Sequence, residues 1–300
     1  MVCLWPFDAL LSTLHSLGQG QSSCILYNDT PKHRKAPQNP TRLATFHKNL
    51  VPIPFLPLEP DFLPEGAEAS VDVPIQQYAN LQVAVDLLQT PIKQFIADKM
   101  PDWIIADFFT PWVVDIAKEY DVPLAYFSVF SAATCVFFGP PEYLTGATRN
   151  ASQVLAIRTC SEIEGDYLEV YKKITGKPVI PTGVLPPDQP GRRAEGEVNS
   201  DASMFDWLDK QKPRSVVFVG PLNARLLVEK GLAAEVKRNE DGSFSREEIA
   251  KSLRLAMVEE EGEQLRSNAR KSAAVIGDHK LQHDRYIGAF VNYLKNNVAK

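Results

Sequence analysis

The first residue placed to do chemistry stands at the end of a hydrophobic run. "DWIIAD" (Asp102–Asp107) reads as a buried strand, ending on Asp107 and running straight into Phe108 and Phe109. Ligands of an open α/β sheet bind beyond the carboxyl ends of its strands, so a carboxylate there can meet a bound molecule and hold or stabilise a proton. The plainer reading makes Asp107 an acidic cap in front of "TPWVVD". Of the five histidines, His33, His47, His279 and His283 fall in polar loop or tail contexts and read as solvated. His15 lies in an N-terminal stretch that has its own anomaly, treated below, and is not read as a catalytic base.

Other chemistries are excluded by what is missing. Cys3, Cys24, Cys135 and Cys160 are scattered, without C-x-x-C spacing or paired histidines, and read as buried free thiols rather than metal ligands or disulfides. No G-x-G-x-x-G follows any strand, which argues against a nicotinamide dehydrogenase. A net charge of −5 with no basic stripe gives nucleic acid no foothold. The longest apolar run, Leu124–Phe138, falls short of the roughly 20 residues that span a bilayer, and no secretory signal is evident. The chain reads as cytoplasmic, with no membrane span.

The elements that must position Asp107 follow a strand-then-helix rhythm. "TPWVVDIAKEY" reads as a helix capped by Thr110, "VPLAYFS" as a strand and "VFSAATCVFF" as a helix. "VLAIRT" is a strand, "SEIEGDYLEVYKKITG" a helix opened by Ser161 and closed by Gly176, and "KPVIPTG" a short strand. Apolar strands alternating with helices predict a parallel sheet covered on both faces. Upstream, "QQYANLQVAVDLLQTPIKQFIADKM" is an amphipathic helix interrupted at Pro91. The Pro/Gly/charge-rich segment 185–202 reads as a linker between an N-terminal domain, 1–184, and a second half, 203–300. That half offers two strands, "SVVFVG" and "LAAEVKR", and a helix with a Ser245 cap and Glu248 at the capping-box position. Two strands make too narrow a sheet for its helices.

The deficit has a visible seam. In "SVVFVGPLNARLL" a strand ending at Gly220 meets a helix beginning at Pro221 with nothing between them, where about 2–6 loop residues are usual.

"PDWIIADFFTPWVVDIAKEYDVPLAYFSVFSAATCVFFGPPEYL" resembles the N-terminal domain of the plant small-molecule UDP-glycosyltransferases. "LPEGAEASVDVP", "IRTCSEIEGDYLEVYKKITGKPVIPTGVLPP", "FDWLDKQKPRSVVFVG" and "PLNARLLVEKGLAAEVKRNEDGSFSREEIAKSLRLAMV" extend the resemblance over most of the chain. Within that family it is most similar to the branch that adds a sugar, often rhamnose, to flavonoid or triterpene-saponin glycosides. The resemblance implies a GT-B fold, two Rossmann-like domains across a cleft, the second incomplete here. It also implies a monomer that needs no metal or cofactor beyond the UDP-sugar co-substrate. The implied chemistry is an inverting displacement in which a histidine takes the acceptor's proton and an aspartate, matching Asp107, stabilises the imidazolium. Phe109 falls where the family often places an acceptor-contacting aromatic, and packing is an equal reading for it.

Three departures qualify the activity. The family's glycine- and histidine-rich donor box, which holds uracil, ribose, diphosphate and sugar, is missing between Gly220 and Pro221. A smaller gap is expected around "EYLTGATRNASQVL". The start, "MVCLWPFDALLSTLHSLGQG", does not match the family's first strand and lacks its "FGH". One back-translation of it, read one base out of register, gives WSAFGHLMPFFQLSIALAKA, so residues 1 to about 30 are read as frame-shifted. The expectation is a glycosyltransferase by descent with little or no transfer activity. The alternatives are a non-catalytic acceptor-binding remnant and an unstable truncated product.

Overall fold

The computed structural model describes residues 2–3, 53, 62–64, 73–139, 147–184, 207, 210–212 and 224–298. The seam at Gly220–Pro221, the linker 185–202, the strand "SVVFVG", His15, His33 and His47 lie outside the described residues. So does the stretch read as frame-shifted, apart from Val2 and Cys3. The chain divides into two units, 1–185 together with 280–300, and 186–279.

The first unit is built on five parallel strands in the order β1-β2-β3-β4-β5. They are β1 (Val2–Cys3), β2 (Ile104–Ala106), β3 (Leu124–Ser128), β4 (Val154–Ile157) and β5 (Val179–Pro181). Val2 pairs with Ile104, Ile104 with Leu124, Ala125 with Val154 and Leu155 with Val179. Every residue of β2, β3 and β4 is buried. The parallel sheet expected from uninterrupted apolar strands is therefore present, and successive side chains enter two different cores.

One face carries Ile104, Ala106 and Leu124. It is covered by α1 (Tyr78–Asp86), α2 (Gln89–Lys99) and α3 (Val113–Glu119), through Val85, Ile92, Ile96, Val113 and Ile116. Further along the same face, Tyr126, Leu155 and Ile157 pack on α4 (Ala132–Phe137) and α6 (Ser161–Thr175). The short helix α5 (Ala147–Ala151) leads into β4. The opposite face, with Ile105, Ala125, Phe127, Val154 and Ala156, is covered by the end of the chain. There a π-helical turn, Leu281–Ile287, leads into the last helix, Gly288–Asn296. Ile287, Phe290, Val291 and Leu294 are buried on that face, and the Trp103 indole N–H donates to the Leu294 carbonyl at 3.0 Å. Arg285 and Tyr286 both bond the Glu162 carboxylate, and the Tyr286 hydroxyl accepts the Ser161 N–H. Residues 280–300, grouped with the second half on sequence, belong to the first unit because their apolar stripe is what dries this face of the sheet.

Several local expectations are adjusted. Thr110 does not cap α3, which starts at Val113; its carbonyl accepts the Val113 N–H at 3.1 Å and its hydroxyl has no partner. The interruption near Pro91 falls at Leu87–Leu88, and Pro91 sits in the first turn of α2, where its missing N–H costs nothing. Ser161 opens α6 without capping it; Cys160 is the N-cap residue, and its side chain makes no capping hydrogen bond, while its carbonyl accepts the Ile163 and Glu164 N–H groups. Gly176 closes that helix at φ 64°, as a left-handed cap.

The second unit contains α7 (Ala224–Glu229), α8 (Arg246–Met257) and α9 (Glu263–Gly277). Ser245 caps α8 by accepting the Glu248 N–H at 3.1 Å. "LAAEVKR" is not a strand. Among the described residues its single pairing is the bridge from Arg238 to Phe244, and its backbone joins no ladder there. No residue of α8 or α9 is buried.

Candidate functional site

Asp107 leaves the carboxyl end of β2 into a tight local turn. Its Oδ1 accepts the Phe109 N–H at 2.7 Å, so the carboxylate closes its own turn and leaves α3 uncapped. The side chain is 7% exposed. Burial pushes its carboxyl up to about 6, against the opposing pull of the backbone N–H bonds. The neighbouring strand ends in the same way. Ser128 closes β3, and its hydroxyl accepts the Phe130 N–H at 3.2 Å.

The paired turns present an aromatic row. Phe108 lies 5.8 Å from Phe130 and 6.1 Å from Phe109, centroid to centroid. Phe130 lies 6.0 Å from Phe138, which lies 6.2 Å from Phe137. Phe108, Phe130, Phe137 and Phe138 are all exposed, Phe137 to 81%. Phe109 packs partly into the core beside α3. Of the two sequence-chosen residues, Asp107 lies at the strand end beside this row, and Phe109 packs partly against the core. The open rings of Phe108, Phe130, Phe137 and Phe138 were not singled out. Their signal was an aromatic residue following each of two adjacent strands, in "ADFF" and "SVF".

Two supports hold this frame. Gln82 of α1 donates to the Phe109 carbonyl at 3.2 Å and to Asp86 at 3.0 Å, and Asp86 also accepts the Trp112 indole N–H at 3.1 Å. Glu164 reaches from α6 to the start of α4. Its carboxylate accepts the N–H groups of Ala132 and Ala133 at 3.1 and 2.9 Å, together with the Thr159 hydroxyl. A carboxylate against a helix N-terminus is favoured by the unpaired N–H groups there. Together these place a buried acid beside a hydrophobic, solvent-facing shelf. The arrangement suits a flat or polycyclic molecule with a hydroxyl directed at Asp107.

No protein-family model matches the chain. Among curated proteins it is 25% identical to soyasaponin III rhamnosyltransferase of Glycine max, over 424 aligned positions covering 90% of this chain and 89% of the relative. It is 24% identical to UDP-glycosyltransferase 91A1 of Arabidopsis thaliana, covering 91% of each. The curated proteins it resembles are plant glycosyltransferases. The fold agrees with theirs. UGT89C1 of Arabidopsis thaliana complexed with UDP-L-rhamnose superposes with a TM-score of 0.62, at 15% identity and 98% coverage of both chains. UGT73P12 of Glycyrrhiza uralensis complexed with glycyrrhetinic acid 3-O-monoglucuronide gives 0.63, at 15% identity and 98% and 95% coverage. The chain thus has the α/β GT-B architecture of plant UDP-glycosyltransferases. Its length does not match: 90% of 300 residues fills about 270 of the 424 positions aligned with the soybean relative, so about 150 of them face a gap. Among the described residues, no helix is long and apolar enough to cross a membrane.

Proposed function

We propose that this chain is a UDP-glycosyltransferase by descent that keeps the acceptor half of the site and has lost the donor half. The observation that carries the reading is Asp107, a buried acid with a raised pKa, at the carboxyl end of β2 beside the row of exposed phenylalanines. The acceptor is a hydroxyl-bearing flavonoid or triterpenoid glycoside, its apolar body on Phe108, Phe130 and Phe138 and a hydroxyl directed at the carboxylate. In the complete reaction a histidine removes that hydroxyl's proton and Asp107 stabilises the imidazolium, while the oxygen displaces UDP from the anomeric carbon with inversion. Loss of a general base costs about 10²–10⁴ in rate, and loss of the donor pocket at Gly220–Pro221 removes the second substrate altogether. Transfer by this chain is accordingly weak or absent. The protein is read as a cytoplasmic monomer with residues 203–279 as the donor-side remnant.

The alternative of an unstable truncated product is favoured by one observation. Ile249, Leu253 and Ile276, on helices α8 and α9, are exposed. A UDP-release assay with UDP-glucose or UDP-rhamnose and a flavonoid glucoside tests the catalytic part. Release at the no-enzyme rate is expected, and release that scales with protein concentration contradicts it.

A further inference from the structure

Arg149 carries a buried charge that no described residue neutralises. It stands on the short helix α5, against β3 and α3, and is 5% exposed. A guanidinium is not deprotonated in proteins, so burial cannot discharge it as it would a lysine or a carboxyl. Its Nε and Nη2 are buried without a hydrogen-bond partner. These two nitrogens form one edge of the planar group, and their N–H bonds run parallel. Covalent geometry alone aims both donors at one ligand.

The surrounding groups offer no counter-charge. The Tyr171 hydroxyl lies against the guanidinium, and Tyr126 and Cys135 are near enough to feel its charge. Burial raises the pKa of all three, so the phenols and the thiol stay neutral. The buried acids among the described residues have other partners. Asp107 accepts the Phe109 N–H, and Glu164 accepts the N–H groups of Ala132 and Ala133 and the Thr159 hydroxyl. Lys177 adds a second cation nearby, whose pKa is lowered by burial and by Arg149. Its Nζ donates to the carbonyls of Arg149, Asn150 and Ser152 at 3.0, 2.7 and 2.6 Å. Neither cation forms an ion pair among the described residues.

We propose that Arg149 is the core of an anion site that takes a small planar carboxylate, of the size of formate, on its Nε–Nη2 edge. Two parallel donors match the two oxygens of a carboxylate, and a spherical chloride cannot accept from both in line. The Lys177 ammonium is occupied by carbonyls, so one guanidinium charge calls for one anionic charge. A dianion would leave a negative charge buried and uncompensated. Enclosure sets the size: a side chain 5% exposed admits a ligand of a few heavy atoms, not a glycoside. The inference stands on the Arg149 edge and is independent of the glycosyltransferase reading.

The test is thermal unfolding of the full chain in sodium formate and in sodium chloride at matched ionic strength, beside an NMR titration with carbon-13 formate. Arg149→Met, which puts an apolar chain in place of the buried charge, is expected to fold at least as stably in chloride. Subtracting its response to formate cancels general salt effects. The remaining rise in the wild-type midpoint should be about 3–6 °C at roughly 100 mM formate, from a Kd of about 5 mM. Arg149→Lys keeps the charge and loses the paired donors, so it should bind formate about tenfold or more weakly. The proposal is overturned by equal formate responses in wild type and Arg149→Met, which would mean that water alone serves the edge. It is also overturned by an Arg149→Lys protein that binds formate as well as the wild type, or by no NMR saturation below about 100 mM. Should Arg149→Met not fold, the wild-type and Arg149→Lys NMR titrations decide the matter between them.

Discussion

The Asp107 carboxylate accepts the Phe109 N–H at 2.7 Å, and one strand over the Ser128 hydroxyl accepts the Phe130 N–H in the same two-residue pattern. Both turns end adjacent parallel strands, so they bring Phe108 and Phe130 to 5.8 Å. A polar residue followed by aromatics at two strand ends is thereby converted into a buried acid beside an apolar shelf.

The raised pKa of Asp107 is a stability cost that substitution should relieve. The folded state binds the proton more tightly than the unfolded chain, whose carboxyl titrates near its ordinary value of 3.8. Stability from this group is full below about pH 4, falls as pH rises through about 6, and stays lost above it. Two pKa units correspond to about 3 kcal/mol. Asp107→Asn keeps the acceptor for the Phe109 N–H, so denaturant melts should show a gain of about 2–3 kcal/mol at pH 8 and little change at pH 4. An equal gain at both pH values would mean that the acid is not strained.

Phe290 tests the place of the chain's end. It is fully buried among Trp103, Ile105 and Phe127, with Ile287, Val291 and Leu294 beside it. Phe290→Ala is expected to destabilise the first unit by about 3–5 kcal/mol, read as a shift in the urea midpoint. Trp103→Phe, which mainly removes the bond to Leu294, should cost about 1–3 kcal/mol. A Phe290→Ala protein with an unchanged midpoint would show that this segment does not cover the sheet in solution.

Glu164 should matter more than its position in the first turn of α6 suggests. Its local backbone is non-helical, at φ −126° and ψ 26°, and its carboxylate serves two N–H groups at the start of α4. Glu164→Ala strands both donors and should cost about 2–4 kcal/mol; Glu164→Gln keeps one acceptor oxygen and should cost less. Because α4 carries Phe137 and leads to Phe138, flavonoid-glucoside binding should weaken in both variants in the same order. Equal melts for the two would place the burden on packing rather than on the carboxylate.

The first unit was legible because its signals were local and periodic. β2, β3 and β4 are continuous apolar runs, and Asp107 marks where one of them stops. Three things were not legible. The cap assigned to Thr110 failed because Asp107 and Pro111 shape the preceding turn, leaving the Thr110 carbonyl to serve as acceptor. The covering of the sheet's second face is long-range: Trp103 and Leu294 are 191 residues apart, and no local pattern joins them. "LAAEVKR" reads as a strand by composition, but a strand exists only where a neighbour pairs with it.

The aromatic row makes its own prediction. Phe108→Ala and Phe130→Ala should each weaken binding of a flavonoid glucoside by about three- to tenfold, with little effect on stability because both rings are exposed. Phe109→Ala should do the reverse, since that ring packs on the core. Fluorescence titration paired with thermal melts separates the two patterns, and identical behaviour of all three variants would remove the shelf from the account.

Calorimetric titration of the purified chain with a flavonoid glucoside, and separately with UDP-glucose, tests the central claim most directly. The account predicts saturable binding of the glucoside at about 10–100 µM, and no heat of binding from UDP-glucose up to about 1 mM. Micromolar UDP-glucose binding, or a glucoside that does not bind at all, would contradict it.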